Sequence, residues 1–290
     1  MPGLAELSGF ATDGERWFAV ADGGVRLEVV VLDPADCAVL DLITGRGDPF
    51  DVEDLALAPD GALWLADTGD NDLVRETVAL HRVEPGGDAA LYRLTFPDGP
   101  HDTEALLLDR MGVPHLVTKE LLGGAGVYRP VGPLTEPGPT PLERVGTVAV
   151  GPTDTPGGPL GRTGSTLVTG GAVGADGTVV ALRTYTDAYL WSAPDGDVVV
   201  ALGRDPVRVP LPGEPQGEAV ALAPDGALLS ASEGGAPVRR VPDALVLVVP
   251  PTEPADTAEP EPDRALAGWQ AALLAAGVAT VLVLLFRRRR

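Results

Sequence analysis

The eight residues ALAPDGAL occur at 56–63 and return unchanged at 221–228. A chain that restarts the same local pattern builds the same local structure again, so the repeat limits the fold more than any other feature. Aligned on the Asp-Gly or equivalent turn, a nine-residue unit appears in five copies. They are ELSGFATDG from Glu6, EDLALAPDG from Glu53, EALLLDRMG from Glu104, TGGAVGADG from Thr169 and EAVALAPDG from Glu218. Successive copies start 47, 51, 65 and 49 residues apart.

A second apolar run follows each turn: RWFAVADGG, ALWLADTGD, VPHLVTKE, TVVALRTY and ALLSASEGG. Runs such as LEVVVLD, TVALHRV, ALYRLTF and AYLWSA fill most of the intervals. Roughly four short strands per repeat of about fifty residues, joined by tight Asp-Gly turns, predict an all-β β-propeller over residues 1–249. Glycine (37) and proline (29) are plentiful and aromatics are 4% of the chain, which suits many strands and turns better than a helical bundle. Five copies imply five blades. Six is the alternative, because the long third interval contains GPLTEPGPTP and GPTDTPGGPLGRTG. A two-sheet sandwich is the second choice of fold, but it gives no reason for a repeat that restarts on the same residue.

In a propeller the first strand of each blade lines the central channel and its start opens on one face. The unit begins with Glu6, Glu53, Glu104 and Glu218, and with Thr169 in the fourth copy. Strand alternation places Glu53 on the side of Leu55 and Leu57, with Asp54 opposite. Closing the ring would gather four glutamates, and like charges at close range raise one another's pKa or demand a cation. Oxygen-rich sites suit Ca²⁺ or Mg²⁺, so Glu6, Glu53, Glu104 and Glu218 are the candidate metal ligands. The second strands end on the same face, bringing Asp67, Asp70, Asn71, Lys119, Glu120, Arg183 and Glu233 as candidate ligand-binding residues, with Asp22 beside them. Loops before the first strands add Asp51, His101, Asp102 and Gln216. Glu104, Glu218 and Lys119 are the candidates for catalysis. A structural use competes with each: acids at blade edges cap turns or bind amides of the next blade, and Lys119 could serve as an ion-pair partner. Asp13, Asp60, Asp176 and Asp225 read as turn residues.

The net charge of −21 excludes nucleic acid as a partner, since phosphate would be repelled. The single cysteine, Cys37, excludes an internal disulfide and reads as a small buried hydrophobe. His81, His101 and His115 lack zinc-ligand spacing, and there is no G-x-S-x-G elbow or phosphate loop. The Arg-Gly-Asp in GRGDPF and the glycines of GGAGVYR read as loop and turn.

Residues 250–264 are proline-rich and acidic, which predicts an extended linker. Residues 265–286 follow with Gln270 and Thr280 as the only polar side chains, long enough at 1.5 Å per residue to cross a bilayer of about 30 Å. Trp269 lies near one end and Arg287–Arg290 close the other. The expectation is a single transmembrane helix that partners the lipid bilayer, with a cytoplasmic tail at 287–290 and the propeller outside. Export calls for a leader, and MPGLAELSGF has neither a basic nor an apolar segment, so a start upstream of Met1 is expected.

The order VEDLALAPDGALWLADTGDN, ALHRVEP, HDTEALLLD, LVTKELLGGAGVYR, VALRTYTDAYLW and EPQGEAVAL…SASEG resembles a group of actinobacterial membrane-anchored propeller proteins, over residues 4 to about 240. More distantly the chain is similar to phytase-like and gluconolactonase-like propellers. That resemblance implies a central calcium held by a Glu opening a first strand. The sequence therefore reads as a ligand-binding or scaffold propeller whose top face takes a small molecule or protein. The alternative is a calcium-dependent hydrolase of a phosphoester or lactone.

Overall fold

The computed structural model describes residues 4–248 except 24, 122 and 123. They are almost entirely strands and turns. Blade 1 is β1 (Leu7–Thr12), β2 (Trp17–Ala21), β3 (Leu27–Leu32) and β4 (Val39–Gly45). Blade 2 is β5 (Val52–Leu57), β6 (Leu63–Asp67), β7 (Val78–Val83) and β8 (Ala89–Thr95). Blade 3 is β9 (Thr103–Leu108), β10 (Pro114–Thr118), β11 (Ala125–Pro130) and β12 (Thr140–Val148). Blade 4 is β13 (Val168–Val173), β14 (Val179–Thr184), β15 (Asp187–Ser192) and β16 (Val207–Pro210), with one short helix, α1 (Val198–Leu202), before its last strand. Blade 5 shows three strands among the described residues, β17 (Gly217–Leu222), β18 (Leu228–Ser232) and β19 (Arg239–Val241). Each blade is an antiparallel meander.

The first strands close a ring, β1 against β5, β5 against β9, β9 against β13, β13 against β17 and β17 back against β1. The core divides accordingly into five apolar clusters, one at each junction between neighbouring blades. Phe18, Val29 and Val31 meet Leu55, Leu65 and Val83 between blades 1 and 2. Leu4, Leu7 and Phe10 meet Ala219, Ala221 and Leu229 between blades 5 and 1. The inner strands of each blade thus bury alternate side chains on each neighbour, while the outer strand β4 is largely exposed, and every fully buried Leu or Val contributes about 1.5–3 kcal/mol. No sixth blade occurs among the described residues. The long third interval is spent on the nine-residue β12 and on the 149–167 connection.

The Asp-Gly turns form as expected. Ala58 N–H donates to Ala62 O, Asp60 Oδ1 accepts from Ala62 N–H, and Gly61 takes φ +86°, a left-handed value that favours glycine. Blade 1 departs from this pattern. Its hairpin loop, 13–16, is one residue shorter than 58–62 and carries Asp13-Gly14 at the start of the loop rather than in its second half. Alignment on Asp-Gly therefore sets blade 1 two residues out of register, and the structural counterpart of Glu53 is Ser8, not Glu6. The candidate linker 250–264, membrane helix 265–286 and tail 287–290 lie outside the described residues. No helix among the described residues is long and apolar enough to cross a membrane.

Candidate cation site at the mouth of the channel

Every first strand carries a β-bulge near its start, seen as a register shift between Val52 and Asp54 and between Gly217 and Ala219, and matched in the other blades. The skipped residues are Ser8, Glu53, Glu104, Thr169 and Glu218. A bulge leaves one residue unpaired and re-aims its side chain. Where that residue is short it bridges to the next blade: Ser8 Oγ donates to Val52 O and Thr169 Oγ1 to Gly217 O, both at 2.8 Å. Where it is glutamate it reaches further, and the three glutamates are buried at the mouth.

Glu53, Asp102 and Glu104 bring one carboxylate oxygen each to within 4.8 Å of one another. Glu218 is 5% exposed; its Oε1 accepts from Gln216 Nε2 at 3.1 Å, and its Oε2 is buried with no hydrogen-bond partner. Lys119 is the resident cation: its Nζ donates to Glu104 Oε1 at 2.6 Å and lies 5.4 Å from the centre of the Tyr185 ring. Asp51 flanks the cluster beside Asp22. The backbone of Gly69 leaves room for both Asp51 and Glu53, since a Cβ there would collide with Glu53 Oε1 and Asp51 Oδ2.

Charge accumulates in this small space. Burial pushes the Glu53 carboxyl well above its ordinary range, and the charges of Glu104, Asp51, Asp22 and Asp102 add to it. Burial and Glu104 do the same to Glu218. Glu104 is pushed up to about 7 by burial, against the pull of Lys119. Asp51 is raised to about 7 by burial and by its hydrogen bond and repulsion with Asp22. Asp102 is raised by burial, against the amide N–H that Asp70 donates to it. Burial opposes the Lys119 charge, but Glu104 outweighs it and holds the ammonium firmly protonated. Tyr185 is lifted to about 12 by burial and by Glu218.

The remaining expected site residues fall into other places. Glu6 is exposed at the rim, ahead of β1, and does not join the other three glutamates. Arg183 is fully enclosed; it pairs with Glu214 at 2.8 Å and donates to Ala219 O, Ala231 O and Ser230 Oγ, so it welds blade 4 to blade 5 rather than facing a ligand. Asp67 is held by Arg75, His81 and the Asp51 amide. Burial acts to raise its pKa, but those partners hold it below the ordinary value. Asp70 accepts from the amides of Val74 and Arg75 and shapes the loop after β6. Asn71 is exposed. Glu120 binds Thr118 Oγ1 and His101, beside the mouth. Glu233 is half-buried, raised by burial and by Asp22.

Asp54, which alternation set aside, occupies the channel itself. Fully buried, it accepts from the amides of Leu55, Leu106 at 2.7 Å and Gly171 at 3.1 Å, tying blades 2, 3 and 4 together below the mouth. The opposite, hairpin end of the channel holds a cavity of about 430 Å³ lined by Phe10, Leu57, Leu108, Val173 and Leu222. Its acids, Asp13 and Asp109, cap their own turns. Among the described residues that line the channel, the acids not taken up by turns or backbone amides thus lie at the mouth. Sequence patterning missed Tyr185 and Glu214, which lie outside the repeat unit.

No protein-family model matches the sequence, and no curated protein matches it. Among solved structures, the chain is similar to hydrazine synthase of Kuenenia stuttgartiensis, with 11% identity and a TM-score of 0.47 over 83% of this chain and 96% of that one. It is similar to a putative gluconolactonase, with 16% identity and a TM-score of 0.45 over 81% and 73%. It is also similar to the aldose sugar dehydrogenase of Streptomyces coelicolor, with 11% identity and a TM-score of 0.40 over 81% and 93%. Likenesses at these levels attach no activity or ligand to this chain.

Proposed function

We propose that the protein is a binding propeller whose mouth takes up a divalent cation, calcium by preference, as the anchor for a small molecule or protein on the top face. The observation that carries this reading is the buried triad of Glu53, Asp102 and Glu104, with oxygens within 4.8 Å of one another. Two oxygens bound to one Ca²⁺ at about 2.4 Å stand at most about 4.8 Å apart, so the spacing fits a single ion. The donor set is all oxygen, as a hard cation requires, and the partnerless Glu218 Oε2 offers unsatisfied acceptor capacity beside it. Titrating the full-length chain in detergent with Ca²⁺ and Mg²⁺ by calorimetry tests this. One-to-one binding that Glu53→Gln and Asp102→Asn weaken is expected. The absence of binding to the wild type refutes it.

A second reading, a hydrolase of a phosphoester or lactone, draws on Glu104 and Asp51, whose carboxyls lie near 7 and so suit proton transfer at neutral pH. A bound cation would polarise the substrate oxygen. Glu104, oriented by Lys119, would accept a proton from water. Calcium-dependent turnover of aryl phosphoesters or lactones that Glu104→Gln abolishes would favour this reading, and no turnover with a saturated site leaves the binding module.

The apolar stretch 265–286 followed by four arginines supports anchoring in a membrane with the propeller outside the cell. A reporter fused after Arg290 should be found on the cytoplasmic side. Its appearance outside would overturn the orientation.

A further inference from the structure

Lys119 stands at the point where the carboxylate surplus is greatest. Its backbone is fixed just past the end of β10 by the hydrogen bond its amide N–H donates to Asp102 O at 2.9 Å, while its ammonium sits at the tip of a flexible stem. Among the described residues that ammonium's close hydrogen bond is to Glu104, with the Tyr185 hydroxyl as a weaker partner, and an ammonium has three donors. Glu104 is also one of the three carboxylates that converge on the candidate cation position. An incoming divalent ion and Lys119 therefore compete for the same acid. The competitor has somewhere to go. Glu218, from blade 5, is nine-tenths buried with a carboxylate oxygen left without a partner, and its charge is felt at both Lys119 and Tyr185. A buried acceptor without a donor is costly, and no donor among the described residues meets this one. Tyr185, over whose ring the ammonium lies, gives it a face to pass across.

We propose that Lys119 is a tethered, exchangeable counter-cation: it neutralises Glu104 while the mouth is empty of divalent ion and transfers to Glu218 Oε2 when an ion binds. This rests on the cation-binding reading above. The lysine keeps the metal-free ring from flying apart, and it sets the concentration at which a divalent ion takes over. The mouth is thereby a threshold device rather than a permanently filled site.

The test is calcium calorimetry on the full-length chain for the wild type, Lys119→Met, Lys119→Gln, Glu218→Gln and the double variant K119M/E218Q, with melting curves to confirm folding. Removing the competitor should tighten calcium binding by about tenfold or more in K119M and K119Q, as ligand charge sets affinity over decades. E218Q alone should weaken binding by about tenfold, because the displaced ammonium loses its acceptor. In the K119M background E218Q should cost much less, since there is no ammonium to receive, and this non-additivity is what a merely structural Glu218 would not show. Calcium affinity that is unchanged or weaker in both lysine variants overturns the inference and leaves the cation site standing. So does an equal cost of E218Q in both backgrounds. Binding by none of the five proteins removes the cation site and this inference with it.

Discussion

Replacing Glu53 by Gln should make the protein more stable in the absence of divalent ions and less stable in their presence. Glu53 is 8% exposed and has carboxylate oxygens of Asp102 and Glu104 within 4.8 Å. At an effective dielectric of about 20, one such pair costs about 3.5 kcal/mol. Glu104 is already neutralised by Lys119 at 2.6 Å, so the repulsion that remains is with Asp51, Asp22 and Asp102. Partial protonation and residual solvent lower it further, to about 1–3 kcal/mol. The isosteric amide removes that repulsion, and because the Glu53 side chain makes no hydrogen bond among the described residues little is lost. At about 2–4 °C per kcal/mol for a domain of this size, the melting temperature in EDTA should rise by about 2–12 °C. The sign with pH follows. A carboxyl whose folded pKa lies above its unfolded value of 4.5 leaves the wild type unpenalised below that pH and costs stability as pH rises. The advantage of Gln should therefore vanish near pH 4 and grow toward pH 8. Calcium at about a thousand times Kd adds about 4.1 kcal/mol to the wild type, which exceeds the repulsion removed, so the order of stabilities should reverse. Differential scanning calorimetry across pH, with and without calcium, reads all of this. A Glu53→Gln protein that is destabilised in EDTA by the same amount at every pH would refute the electrostatic account of the mouth.

Asp54→Asn puts a donor among three amide donors and should cost about 2–4 kcal/mol in chemical unfolding, because the clasp between blades 2, 3 and 4 is lost. Arg183→Met strands Glu214 in the interior and should cost about 3–5 kcal/mol, with Glu214→Gln in the same chain restoring part of it. Gly69→Ala should lower both the melting temperature and the calcium affinity, since the added methyl collides with Glu53 and Asp51. Burial depresses the pKa of His115 below 6.5, so the unfolded chain binds its proton first on acidification. Stability should fall as pH drops through about 6.5, by at most about 1.4 kcal/mol per pH unit, and His115→Gln should flatten that limb.

The repeat made the blades legible. Residues 53–61, 104–112 and 218–226 each fold as an inner strand and its turn, and apolar alternation marks which residues face a neighbouring blade. The register of blade 1 was not legible, because loop length fixes it and the Asp-Gly of 13–14 sits earlier in its loop than that of 60–61. The bulge was hidden for the same reason: period-two alternation assumes unbroken pairing, and the skipped residue is the one that carries the chemistry. Glu53, Glu104 and Glu218 could be named from their shared place in the unit. Asp102 could be named only as a residue in a loop preceding a first strand. Arg183 sits where a ligand contact was expected, but a charge at the end of β14 does not reveal that Glu214, thirty-one residues on, folds back to enclose it. Tyr185 lies one residue past β14, the place that Lys119 holds past β10 and Glu233 past β18, so the repeat pointed to it although its residue type did not.

The outer edges of blades 2 and 3 are joined by a short parallel pairing, Thr140 with Leu94 and Pro141 with Thr95, which makes β5 to β12 one eight-stranded sheet. No other pair of blades shares such a rim bond among the described residues. The ring is therefore not five equal hinges but one stiff double panel and three separate leaves. Thermal fluctuation should concentrate at the leaves, above all where blade 5 meets blade 1 through side-chain packing and a Gly234-to-Ala5 backbone bond. All three convergent acids, Glu53, Asp102 and Glu104, ride on the panel, while Glu218 rides on a leaf. The geometry that grips an ion is thus held on the quiet side of the molecule, and the acid that receives the displaced ammonium is on the side that gives.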